Sequence, residues 1–111
     1  MPISDSNKSY FDDQIANADI LNNSGTQGAL TVGITPIEVK VGVSPLEGRK
    51  VVTVFNNSNR TIYWGYTSGV TALTGTPIER DQLAVFEVGD SLPIYLVAST
   101  GSNNVRITEA G

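Results

Sequence analysis

The chain has 111 residues, with 7 Lys+Arg against 11 Asp+Glu and a formal net charge of −4. That length suits one small domain with an arm, not two domains. Without a cysteine or histidine it has no disulfide framework, no thiolate metal site, no cysteine nucleophile and no imidazole base or pH switch.

Charged residues make up 16% of the chain, below the roughly 25% of an average domain. Surface polarity therefore falls to Ser, Thr, Asn and Gln. The acidity is uneven. Residues 1–28 carry Asp5, Asp12, Asp13 and Asp19 against Lys8, while residues 29–111 hold seven acids and six bases. The sequence divides into an acidic N-terminal docking arm, 1–28, and a nearly neutral β domain, 29–111.

The arm carries one helical signal. Phe11, Ile15 and Ala18 recur at spacings of four and three, Ser9 can cap, and Asp12 and Asp13 occupy the dipole-favoured first turn. Asn22-Asn23-Ser24-Gly25 would stop it. A helix of about twelve residues is marginal alone in water. It needs a surface for Phe11, Ile15 and Leu21, which makes these the candidate partner-docking residues. The first residues lack a basic patch followed by an apolar run, so no signal peptide is expected. No run approaches the roughly 20 apolar residues of a membrane span.

Beyond Gly28 the period falls to two. Ala29–Ile34 and Ile37–Val43 read as strands on either side of Thr35-Pro36, with Ile37, Val39, Val41 and Val43 on one face. Ser44–Gly48 reads as a loop and Lys50–Phe55 as a strand buried on both faces. Asn56-Asn57-Ser58-Asn59 predicts a hairpin turn, because Asn tolerates positive φ and closes Asx-turns. Thr61–Tyr66 returns with Ile62, Trp64 and Tyr66 on one face and Tyr63 on the other. Thr67–Pro77 reads as a long Thr- and Gly-rich loop. Leu83–Val88, Leu92–Ala98 and Asn104–Glu109 complete the pattern. About seven strands with turns every eight to twelve residues predict an all-β fold, a small antiparallel β-sandwich or barrel.

Few residues suggest chemistry. Glu79 and Asp81 flank Arg80, and paired carboxylates serve glycoside hydrolysis, but two residues apart in a loop they read as solvated turn residues. Asn56, Asn57 and Asn59 offer oxygens for calcium without a neighbouring acid. The Gly-Thr-rich segments contain no phosphate-loop pattern. Seven dispersed basic residues, with Arg49-Lys50 the lone pair, disfavour nucleic acid. No catalytic residue, metal site or cofactor is expected, nor an enzyme. Trp64 reads as core. Tyr63 and Tyr66 are the candidates for an oligomer or ligand surface, which as aromatics could also stack on sugars.

From about residue 29 the sequence resembles a family of small β-rich virion proteins of tailed bacteriophages. The resemblance lies in Leu30-Thr31-Val32-Gly33, Ser44-Pro45-Leu46 with Arg49-Lys50, Val54-Phe55-Asn56-Asn57-Ser58, and Ile62-Tyr63-Trp64-Gly65-Tyr66. It continues in Gly75-Thr76-Pro77-Ile78, Pro93–Ala98 and Asn104–Glu109. It covers three quarters of the chain, and the order of the pieces carries more than any one piece. It implies a capsid decoration or head-fibre-type accessory subunit, made in the bacterial cytoplasm and placed in the virion. A tail or neck component, including a carbohydrate- or receptor-binding tail module, is the alternative. The implied partners are copies of the chain itself, a trimer among the assemblies that would suit it, and major capsid, portal or tail proteins, with neither nucleic acid nor membrane.

Overall fold

Alternating apolar residues with almost no charge between them can bury one face of each strand. In a computed structural model that describes residues 24–111, they do so between two antiparallel sheets. Eight strands form: β1 (Gly25–Val32), β2 (Ile37–Glu38), β3 (Val51–Asn56), β4 (Ile62–Gly65), β5 (Thr76–Ile78), β6 (Leu83–Phe86), β7 (Tyr95–Val97) and β8 (Asn103–Ala110). The expected helix, with Phe11, Ile15 and Leu21, lies outside the described residues.

One sheet, A, has the order β1-β8-β3-β6 and the other, B, the order β2-β7-β4-β5. Strands therefore pair as 1 with 8, 2 with 7, 3 with 6 and 4 with 5, all antiparallel. The chain behaves as one long hairpin bent at β4–β5 and rolled over itself, which is the eight-stranded jelly roll. The all-β sandwich read from the sequence is therefore the architecture found.

The inner faces supply the core: Val32, Val52, Val54, Val105, Ile107 and Phe86 from sheet A meet Val39, Ile62, Ile78, Ile94 and Leu96 from sheet B and its flanks. Each such side chain contributes roughly 1.5–3 kcal/mol through burial. Trp64 joins this cluster from β4, edge-to-face with Phe86 at 4.8 Å between ring centres.

Four details differ from the sequence reading. First, β1 starts at Gly25, so residues 25–28 belong to the sheet although their composition resembles the arm. Second, Asn56–Arg60 is not a hairpin turn, because β3 and β4 lie in different sheets. Asn56 turns inward instead. Its amide donates to Arg60 O at 2.7 Å and Ile78 O at 2.8 Å, and its Oδ1 accepts from Ser58 N at 3.0 Å. Third, the strand expected over Ile37–Val43 stops at Glu38, and Val43 is 95% exposed. The Val41 N–H is taken by the Glu109 carboxylate at 3.0 Å rather than by a neighbouring strand. Fourth, β3 is buried on alternate residues rather than on both faces, and the expected long loop ends early, since Thr76–Ile78 forms β5 at a sheet edge.

Candidate interaction surfaces

The loops 39–50, 66–75 and 87–94 gather at one end of the sandwich, with Ser24 and Gly111. The antiparallel registers require this, since the start of β3, the ends of β6 and β8 and the start of β1 coincide, as do the end of β4 and the start of β7. A buried ion pair holds that end. The side chains of Arg49 and Glu109 are both fully buried, with Nη1 2.9 Å from Oε2. Arg49 also donates to Gly89 O at 2.9 Å, Leu92 O at 3.1 Å and Val39 O at 3.3 Å. Glu109 accepts from the Val41 N–H and, at 3.1 Å, from the Leu46 N–H. The pair ties the β2–β3 and β6–β7 connections to β8. A buried ion pair is a poor net source of stability, but removing one member strands the other charge in the interior. Its contribution here is to fix which loop lies where.

The two outer faces of the sandwich differ. On sheet B, the segment after β4 folds back over the strands. Val70 N–H donates to Thr67 O at 3.2 Å, Gly75 N–H to Thr71 O at 2.8 Å, and the Thr71 and Thr74 hydroxyls bond each other at 3.0 Å. Val70 is buried although it lies outside the main core. It sits against two glycines: a Cβ at Gly65 would come within 2.8 Å of Val70 Cγ2, and one at Gly75 within 2.8 Å of Tyr63 Cβ. The Thr-rich loop is thus a fitted roof. It half-buries Tyr63 and lifts Leu73, 96% exposed, at its crest. Tyr66 is exposed and meets Trp64 edge-to-face at 5.2 Å. The two candidate tyrosines therefore differ: Tyr66 is exposed, and Tyr63 is half-buried beside the chain's own loop.

Sheet A carries no such roof among the described residues. Its outward side chains are Gln27, Ala29 and Thr31 of β1, Asn104, Arg106, Thr108 and Ala110 of β8, Val51, Thr53 and Phe55 of β3, and Leu83 and Val85 of β6. Arg106 is the one charge among them. Its Nε donates to Asn104 Oδ1 at 3.0 Å, and the Thr53 and Thr108 hydroxyls bond across β3 and β8. Leu83 and Val85 are each more than half exposed. A shallow groove along β1 and β8 is lined by Gln27, Gly28, Ala29, Arg106, Ile107 and Thr108. This flat, charge-poor face was legible in the low charge count, but its position was not.

The other candidates fall into structural roles. Glu79 accepts from the Thr61 hydroxyl at 2.9 Å, and Asp81, at φ 62°, makes a β-bulge where β6 begins. Asp81 N–H donates to Asn56 O at 2.9 Å while Asn56 N–H donates to Gln82 O, so two residues oppose one. Among the described residues no group of three His, Cys, Asp or Glu side chains is placed to hold a metal ion, and no helix is long and apolar enough to cross a membrane.

No protein-family model and no curated protein sequence matches the chain. Solved structures similar to it include that of PirA, at 16% identity over 77% of this chain and 93% of that one, with a TM-score of 0.45. The Drosophila NLP-core, described for pentamer formation and histone binding, is 12% identical over 79% of this chain and 96% of that one, at a TM-score of 0.42. PliG of Aeromonas hydrophila, a periplasmic inhibitor of g-type lysozyme, is 12% identical over 78% of this chain and 83% of that one, at a TM-score of 0.37. At these values the likeness carries no argument about what this chain does.

Proposed function

We propose that this chain is a structural protein of a tailed-bacteriophage virion, a capsid decoration or head-fibre-type subunit that assembles with copies of itself and is anchored by its N-terminal arm. The observation that carries the reading is the outer face of sheet A. A sheet face with one charge, several Thr hydroxyls, half-buried Phe55 and exposed Leu83 and Val85 is the composition of a contact surface, in which charged residues are depleted and aromatics enriched. The resemblance of residues 29–111 to small phage virion proteins gives that surface its setting. The jelly roll is an architecture used by viral capsid domains, although it also hosts lectins and cupins, so the fold alone does not choose.

Quantitative mass spectrometry of gradient-purified particles from a phage encoding this chain tests the reading. The expected result is a copy number in fixed ratio to the major capsid, neck or tail protein. Absence from purified particles overturns it, and separation of heads from tails distinguishes decoration from a tail component. Removing residues 1–23, ahead of β1, should leave a folded domain that no longer attaches.

A carbohydrate- or receptor-binding tail module is the second reading, carried by exposed Tyr66 beside the Thr-rich loop. A glycan array that is silent for the full chain removes it.

A further inference from the structure

The sandwich has four sheet edges, and three are protected against pairing with another strand. β2 is two residues long beside the Lys40–Glu38 ion pair. β5 is three residues with Pro77 at its centre. β6 is four residues and begins at the Asp81 bulge. Short strands, proline and bulges are the devices by which proteins blunt an edge. β1 has none of them. It runs eight residues, Gly-Thr-Gln-Gly-Ala-Leu-Thr-Val, without charge or proline and in unbroken register with β8.

The hydrogen-bond phase of β1 is fixed by its first neighbour. Ser24 and Gly111 exchange both backbone bonds at 2.9 Å. In an antiparallel ladder bonded pairs alternate with non-bonded ones. Thr26, Gly28, Leu30 and Val32 therefore aim their backbone groups at β8, and Gln27, Ala29 and Thr31 aim theirs at the open edge.

We propose that β1 is a self-pairing edge: two copies of this chain join antiparallel about a two-fold axis at Ala29, making one eight-stranded sheet from two A sheets. This rests on the assembly reading above and adds to it a surface and a symmetry. A two-fold at Ala29 sets Ala29 against its own copy and Gln27 against Thr31, so that every open N–H and C=O of these residues meets a partner, about six bonds in all. On the inner side the same register sets Gly28, which has no side chain, against Leu30, and Thr26 against Val32. No like charges meet, because β1 has none. An isologous contact of this kind closes at two copies, so the unit is a dimer or a multiple of one, not a trimer.

Ala29→Lys and Ala29→Glu test this in the full chain. The side chain points outward and its N–H has no acceptor among the described residues, so folding should be unchanged by circular dichroism. Sedimentation equilibrium should show a dimer for the unaltered chain, at least tenfold weaker association for each variant, and recovery in an equimolar mixture of the two, since opposite charges then face each other. An unaltered chain that stays monomeric at millimolar concentration overturns the proposal. So does an oligomer of any order that both variants leave intact. Amide exchange supplies the third arm. Protection of Gln27, Ala29 and Thr31 should rise with protein concentration. If those amides are slow to exchange in a monomer, the chain covers its own edge and the proposal fails. The virion reading stands or falls separately, on whether the chain is found in particles.

Discussion

The two outer faces of this jelly roll are made from the same kinds of residue and end in opposite states. Sheet B covers part of its outer face with its own loop: Val70 fits against Gly65 and Gly75, and Thr67, Thr71 and Thr74 tie the loop to itself. Sheet A, with Thr53, Phe55, Thr108, Leu83 and Val85, is left open among the described residues. A small sandwich can cover one outer face with a long connection, here the one between β4 and β5. The connections at the sheet A side are spent crossing to the other sheet. Apolar surface that no local loop can reach is the surface left for another chain.

The largest effect should come from the residue on which both halves depend. Glu109→Gln leaves Arg49 charged and buried, so stability should fall by about 3–5 kcal/mol in urea unfolding. A loss under about 1 kcal/mol would mean that the ion pair does not organise the loop end. Lifting the roof comes next. Gly75→Val places atoms where Tyr63 Cβ, Val70 Cγ2 and Thr71 O already crowd, and should cost about 1–3 kcal/mol and expose Tyr63 to solvent quenchers. Val70→Ala empties the same contact without strain and should cost about 1–2 kcal/mol; an unchanged midpoint would show that the loop does not rest on the sheet. The smallest effect on stability belongs to the open face. Val85→Thr should change the free energy of unfolding by less than about 0.5 kcal/mol. If that substitution instead destabilised the isolated chain as much as Val70→Ala does, the two faces would not differ as described.

Much of the strand pattern was legible. Val105 and Ile107 inward with Arg106 and Thr108 outward follows from period two alone, as does the shared inner face of Ala84, Phe86 and Val88. Trp64 was legible as core because Ile62 lies two residues before it on the same face. Pairings between distant strands were not. Asn56–Arg60 has the residues of a hairpin and makes a crossing between sheets, because Asn56 satisfies its amide on Ile78 and Arg60 rather than closing β3 on β4. Val43 continues an alternation that the fold breaks, because Glu109, sixty-eight residues beyond Val41, captures the Val41 N–H. The Arg49–Glu109 pair left no local trace beyond one basic dipeptide.

Composition and periodicity by themselves determined that the chain beyond its arm is all-β, that the whole is sparing in charge, and that the acidity lies mainly in the first 28 residues, because side-chain alternation and charge are local properties. Only the tertiary structure decided which strands pair, which outer face receives a roof and, among the described residues, which long strand lies at an unpaired edge. Those outcomes depend on contacts between residues far apart in the chain, and no local pattern encodes the partner of a strand.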